Sequence, residues 1–357
     1  MSQSVKGHLE LLDRGFGFLR SIESNFHPNP EDTFVPATLI QQFNLHEGVF
    51  VEGVGVKGDG KKSNLKLTEI ESINQIPSKE YSNIKSLQNH VSISPSERFK
   101  LARGPDDIMG RALDMIVPIG KGQRGLIVSP PKSGKTTILK HMATSLLINH
   151  PEVVVYVLLV DERPEEVTDF RRGLKDAYVL SSSADQSVSK HLRMTRLTMN
   201  TAIRSAETGV DTVVFIDSLT RMSRAFNKET RSHGRTLTGG LGANAMEMPR
   251  RIFGAARNIE HGGSLTIIAT ILIETGSKMD DIIFQEFKGT GNMDLVLSRK
   301  CAERRLWPAI DINQSGTRKE HLLLDTEEFQ EMVKLRRALS QKDEITAMSA
   351  FIEYLGG

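Results

Sequence analysis

Cysteine is nearly absent from this chain: its 357 residues include one, Cys301. A lone thiol excludes internal disulfides and fits a reducing compartment. Long apolar runs are missing too. The longest, Val153–Val160, is strand-length and rich in β-branched residues, far short of the ~20 residues that a membrane-spanning helix needs. The first ten residues lack the apolar stretch of a secretory signal, so a cytoplasmic address and no membrane partner are expected. There is no excess of one charge: 46 Lys and Arg against 44 Asp and Glu leave +2, and charge alone gives no argument for a nucleic-acid partner. What remains, 38% hydrophobic and 25% charged residues, describes a globular chain long enough for two domains, one of them large.

Two textures follow one another. Residues 1–75 hold short β-prone runs between turn signals: Gly15–Leu19, Thr33–Val35, Gly48–Val54 and Leu65–Thr68, with Gly58-Asp59-Gly60 as a hairpin-type turn. They predict a small all-β barrel. Residues 76–112 are polar, punctuated by Pro77, Pro95, Gly104 and Pro105, and read as an irregular connector. From 113 to 357, apolar runs at Leu126–Val128, Val153–Val160, Val213–Ile216 and Leu265–Ile271 alternate with helix-length segments. That alternation predicts an α/β domain with a mostly parallel sheet and covering helices. Two amphipathic segments, Thr326–Arg337 and Glu344–Leu355, close the chain.

The run Ser129-Pro130-Pro131-Lys132-Ser133-Gly134-Lys135-Thr136 lies between the strand Gly125–Val128 and a helix. This is the setting of a P-loop, whose backbone N–H groups point at phosphate oxygens. Lys135 is placed to reach the β- and γ-phosphates of a nucleoside triphosphate, and Thr136 to put its hydroxyl on Mg²⁺. Ser129 stands where the general pattern has its first glycine. Asp217, ending the run Val213–Ile216, fits a carboxylate near Mg²⁺ at the C-terminal edge of a parallel sheet. Asp161 and Glu162 fall at that same edge, and either suits the carboxylate that orients an attacking water or the acid that caps the helix begun by Pro164. Spacing does not choose between them.

Longer runs carry a resemblance. Pro118-Ile119-Gly120-Lys121-Gly122-Gln123-Arg124-Gly125, the P-loop itself, Asp161-Glu162-Arg163-Pro164-Glu165-Glu166-Val167, Phe253-Gly254-Ala255-Ala256-Arg257-Asn258, Phe287-Lys288-Gly289-Thr290-Gly291-Asn292 and Ser315-Gly316-Thr317-Arg318-Lys319-Glu320 resemble the Rho family of bacterial transcription termination factors, from about Leu9 to the C-terminus. The family's P-loop also lacks the first glycine. The resemblance implies an oligonucleotide-binding (OB-type) barrel followed by a RecA-like ATPase domain, assembled as a homohexameric ring with ATP sites between subunits. It implies a 5′-to-3′ RNA translocase and helicase that binds pyrimidine-rich single-stranded RNA and releases transcripts from RNA polymerase with its elongation factors. The small helical subdomain that usually precedes the barrel is expected to be missing.

Residue by residue, the resemblance makes Lys135, Glu162, Asp217 and Arg318 catalytic. Glu162 is then the water-activating base, Asp217 the Mg²⁺-linked acid with Thr136, and Arg318 a finger reaching a neighbour's γ-phosphate. Pro131, Lys132, Ser133, Gly134, Lys135, Thr136 and Thr137 hold ATP, Arg163, Arg221 and Arg305 lie at or near the interface, and Trp307 stands where the family has an aromatic on the adenine. RNA contacts are expected from Phe16, Phe18, Arg20, Asp32 and Phe34 on the barrel. Two pore-facing loops add to them: 227–244 with Arg231, Arg235, Thr238 and Gly239, and 274–291 with Lys278 and Lys288. Phe16 and Phe18 share one face of a strand, where bases stack for roughly 1–3 kcal/mol each. Residues 1–75 carry 7 basic and 10 acidic side chains, a net charge of −3, so phosphate attraction alone does not explain binding there.

Overall fold

The computed structural model describes residues 2–57, 64–183, 185–231, 240–242 and 244–356. Its first unit is a barrel. Strand β1 (Ser2–Leu11) pairs antiparallel with β2 (Gly17–Arg20) and β4 (Phe50–Lys57), β2 pairs with β3 (Phe34–Val35), and β5 (Leu65–Ile73) pairs with both β4 and β3. The circuit β1-β2-β3-β5-β4-β1 closes five strands, with helix α1 (Ala37–Gln42) between β3 and β4 and a short hairpin partner β6 (Ile76–Pro77) on β5. Closure leaves no free edge. The expected turn at Gly58–Gly60 lies outside the described residues.

Alternation fills the barrel. Leu9, Leu19, Val35, Val49, Val51, Leu67 and Ile73 point inward and are almost wholly buried. Strand β4 bulges against β5 at Glu52/Gly53 and again at Val54/Gly55. A Cβ on Gly53 would sit 2.1 Å from the Glu69 carbonyl oxygen, so glycine is what lets the sheet bend there. The longest strand, β1, was not among the runs read from the sequence: Gln3, Lys6 and Gly7 dilute its β-branched content, and its pairing on both sides supplies what propensity does not.

The second unit is the α/β domain. Short strands β7 (Ser92–Ile93) and β8 (Arg98–Phe99) precede helix α2 (Ile108–Ile116) and β9 (Ile119–Gly120). Then β10 (Arg124–Ser129), α3 (Lys135–Asn149), β11 (Val154–Glu162), α4 (Pro164–Gly173), β12 (Tyr178–Ser183), α5 (Val188–Glu207), β13 (Asp211–Asp217), α6 (Leu219–Arg231), α7 (Glu247–Phe253), β14 (Arg257–Ile259) and β15 (Ser264–Leu272) alternate. Helix α8 (Lys278–Phe287), β16 (Met293–Val296), α9 (Arg299–Glu303), β17 (Gly316–Thr317), α10 (Thr326–Leu339) and α11 (Glu344–Tyr354) complete the chain. The sheet order is β12-β11-β13-β15-β10-β16-β17, parallel from β12 to β16. Both faces are buried, as such sheets require. Along β11, Val155, Val157 and Leu159 pack under α2, α3 and α4, while Tyr156, Leu158 and Val160 pack under α5, α6 and α8.

Residues 76–112 are less irregular than their composition suggests. Strand β7 pairs with β14, β8 pairs with β9, Phe99 and Leu101 lie in the core of the α/β unit, and α2 runs across residue 113. The segment 274–291, expected as a loop, is helical over Lys278–Phe287. Ser277 leads into it, Asp280 and Asp281 occupy its first turn, and Ile283 and Phe287 are buried on one face, an amphipathic spacing that outweighs the flanking glycines.

The barrel is fastened to the α/β unit by a buried carboxylate. Glu10 on β1, 2% exposed, accepts hydrogen bonds from Arg20 Nε at 2.7 Å and from Arg193 Nη2 of α5 at 2.7 Å; the same Arg193 nitrogen donates to the Phe26 carbonyl at 2.6 Å. Burial alone would raise the Glu10 pKa, but the two arginines outweigh it and hold the carboxyl below its ordinary value. A depressed carboxylate stabilises the fold above its unfolded pKa and loses that contribution as pH falls through the folded one. Glu10→Gln is therefore expected to cost about 1.5–3 kcal/mol near neutral pH. The gap to the parent should narrow on acidification below about pH 4. Thermal unfolding at several pH values measures this, and a pH-independent gap would remove the electrostatic account.

Candidate nucleotide and RNA sites

The loop 130–134 joins β10 to α3. Ser129 Oγ lies 2.9 Å from Ser133 Oγ, and Ser133 Oγ donates to the Pro130 carbonyl at 2.8 Å. Both serines are about 1% exposed, so the residue in place of a first glycine ties the loop closed from inside. Lys132, with φ 64°, and Pro131 lie on the exposed side. Helix α3 begins with no side-chain cap and no acid in its first turn, which leaves its N-terminal N–H groups free for an anion. Thr136 is half-buried and Thr137 exposed in that turn. The cap residue Gly134 has φ 89°, and a Cβ on it would meet Trp307 Cζ3 at 2.6 Å. Trp307, 40% exposed, thus lies against the phosphate loop with ring surface open to solvent.

The carboxylates converge on the same sheet edge. Asp217 ends β13, is fully buried, accepts from Thr270 Oγ1 at 2.9 Å and is ion-paired with Lys135. On β11 a register shift between Val160 and Glu162, with Asp161 at φ 56°, leaves Asp161 half-exposed and Glu162 fully buried. The bulge makes the choice that spacing left open. Glu162 Oε1 pairs with Arg221 Nη2 at 2.9 Å, and Arg221 also donates to the Asp161 carbonyl. Burial first, and Asp217 next, push the Glu162 carboxyl above its ordinary range against the pull of Arg221 and Lys135. One oxygen of each acid, Glu162 Oε2 and Asp217 Oδ2, is buried without a partner. Such orphans are costly, and they fit a site that takes a cation and a polarised water. Thr270 was not anticipated; its only signal is a hydroxyl inside an apolar strand.

Arg318 stands apart. Its backbone N–H bonds the Asn292 carbonyl at the start of β16, and its side chain is exposed beside Gly289. Because β16 runs parallel to β10, this is the sheet end opposite the P-loop, about 16 Å away at roughly 3.3 Å per residue. Arg163 and Arg305 are also exposed.

On the barrel, Phe16, Phe18 and Phe34 form one cluster with ring centroids 5.4–6.0 Å apart. All three are half-exposed and none belongs to the barrel core. Arg20 lies over the Phe18 ring at 4.8 Å but is only 6% exposed, engaged by Glu10 and ion-paired with Asp32. Arg20 and Asp32, both expected among the RNA contacts, are joined to each other and to the anchor at Glu10. Lys278 and Lys288 are exposed at the two ends of α8, Lys288 5.9 Å from the Phe284 ring. Arg235, Thr238 and Gly239 lie outside the described residues. No described helix is long and apolar enough to cross a membrane.

Fold and site together define a nucleotide-binding P-loop domain joined to an OB-type barrel. Residues 110–317 match the nucleotide-binding domain of the ATP synthase alpha/beta family, and residues 5–79 the Rho termination factor RNA-binding domain. Transcription termination factor Rho of Aquifex aeolicus is 47% identical over 354 residues, 98% of this chain and 81% of the relative; that of Haemophilus influenzae is 47% identical over 98% and 84%. The chain belongs to the transcription termination factor Rho family. Among solved structures, a type III secretion ATPase superposes with a TM-score of 0.61 at 22% identity, covering 70% of each chain, a likeness of fold alone.

The left-handed backbone at Gly134 generates a prediction. Gly134→Ala places a side chain at positive φ and against Trp307, at a cost of order 1–3 kcal/mol, so ATP affinity should drop about tenfold or more while the fold persists. Calorimetric titration with a non-hydrolysable ATP analogue checks it; unchanged affinity would contradict the geometry.

Proposed function

We propose that the protein is an RNA-dependent ATPase that moves 5′ to 3′ along single-stranded RNA, unwinds RNA–DNA hybrid and releases transcripts from RNA polymerase, acting in the cytoplasm as a homohexameric ring. The observation that carries this reading is the pairing, on one chain, of a half-exposed phenylalanine cluster on a closed barrel with a P-loop facing two buried, half-satisfied carboxylates. Family membership supports it. Pyrimidine-rich RNA is the ligand that family membership implies, and the barrel's net charge of −3 leaves stacking the main attraction there.

ATP brings the reacting phosphoryl group; Thr136 and Asp217 would hold Mg²⁺, which would supply neutralisation of its charge. Lys135, released from Asp217, turns to the phosphates cradled by residues 131–137. Glu162, positioned by Arg221, orients the attacking water and takes its proton, a task its raised pKa favours. Trp307 offers its open face to the adenine. Arg318, at the far sheet end of its own subunit, serves the neighbouring site, with Arg163 and Arg305 at the same interface. Lys278, Lys288, Arg235, Thr238 and Gly239 grip the RNA backbone in the pore.

ATP turnover should rise severalfold or more with saturating oligopyrimidine RNA, and Phe18→Ala with Phe34→Ala should raise the RNA concentration required. Loss of two stacked bases corresponds to about 2–6 kcal/mol. Turnover indifferent to RNA would sink the proposal. Arg318→Ala and Lys135→Ala rings should each be inactive, yet mixed rings should regain turnover, because some interfaces then combine an intact loop with an intact finger. No recovery at any mixing ratio would remove the intersubunit assignment.

A further inference from the structure

A barrel with a net charge of −3 needs its cations elsewhere if it is to hold a polyanion. A cleft of about 610 Å³ supplies them. It lies between His46, in the turn ahead of β4, the side of α5 that faces the barrel, and α7 with the start of β14. Four guanidinium groups line it, Arg196 and Arg204 from α5, Arg251 from α7 and Arg257 from β14, and no Asp or Glu is among its lining residues.

Two of the four charges are answered from outside the cleft: Arg196 pairs with Glu47 at 3.0 Å and Arg204 with Glu207 at 2.8 Å, leaving Arg204 Nε buried and unpartnered. The other two are not. Among the described residues Arg257 donates only to carbonyls, of Leu87 at 3.2 Å and Ala255 at 3.3 Å. Arg251 is exposed and has neither a hydrogen bond nor an ion pair among the described residues. Like charges gathered in a concave surface repel one another and focus a positive potential, which an anion relieves. The guanidinium fork matches a phosphate diester, and a series of such forks follows a backbone without reading bases.

The cleft spans the barrel and the α/β unit. His46 belongs to the barrel, and α7 is the first helix after residues 232–243. We propose that this cleft binds the sugar–phosphate backbone of single-stranded RNA and carries the strand from the barrel to the ATPase domain. The inference rests on the RNA-dependent reading above and adds to it a contact site apart from the barrel's phenylalanine cluster and from the pore loops.

Arg251 is the residue to change, since it is exposed and holds nothing in the fold. With the assembled full chain, fluorescence anisotropy would follow an oligopyrimidine of about four nucleotides, enough for one barrel, and a strand several times longer, each across a salt series. Arg251→Gln should leave the short RNA unaffected. For the long strand it should lower affinity several-fold at low salt and make the slope of log K against log salt shallower by about 0.7, one phosphate contact. Arg251→Glu should do more, and Arg251→Lys should behave as the parent. An unchanged slope for the long strand, with the parent binding RNA normally, would overturn the cleft alone and leave it to an acidic protein segment. Equal losses for both RNAs would also overturn it, placing Arg251 in the barrel site. A parent that binds neither RNA would overturn the RNA-dependent reading and this inference together.

Discussion

Two carboxylates buried side by side, Glu162 and Asp217, set the terms for the rest of the α/β unit. Neither is exposed to solvent, and each keeps one oxygen without a protein partner. Buried charge of one sign is tolerated only when opposite charge stands close. Lys135 and Arg221 provide it, from the helices that follow the P-loop strand and β13. The parallel sheet gives both acids the same edge, and the bulge on β11 turns Glu162 rather than Asp161 toward Asp217. The phosphate loop then has a cation poised between the acid that holds it and the anion it is built to meet.

The barrel repeats this logic at another scale. Glu10 is buried and shared by an arginine of its own barrel and an arginine of α5, so the charge that fixes Arg20 under Phe18 also fixes the barrel to the ATPase unit. Stacking surface, anchor and α5 form one connected chain of contacts. The same α5 lines the arginine cleft further on, with Arg196 about one turn and Arg204 about three turns past Arg193. One helix therefore contacts both the barrel's anchor and the arginine cleft.

The main elements of the ATPase unit were legible because apolar runs of strand length separate helix-length segments: the runs at 126–128, 213–216 and 265–271 fall within observed strands, and that at 153–160 does so from Val154 on. The elements missed had weak local signals. Strand β1 is held by two neighbours more than by its composition, and α8 declares itself only through which face is buried. The connector looked irregular because its polar residues outnumber the few, Phe99 and Leu101 among them, that enter the core.

The sequence by itself determined the chemistry on offer: a strand–loop–helix with Gly-Lys-Thr, acids at strand ends, paired phenylalanines and the motifs of one family. These are local patterns, written in consecutive residues. Only the tertiary structure decided that Glu162 and not Asp161 is buried beside Asp217, that Trp307 lies on Gly134, that Arg20 and Asp32 satisfy each other, and that Arg318 sits at the sheet end opposite its own P-loop. It also gathered Arg196, Arg204, Arg251 and Arg257, up to 61 positions apart in the chain, into one cleft. Burial and charge pairing between distant segments have no linear signature, because they depend on which surfaces the fold brings within a few ångströms of each other.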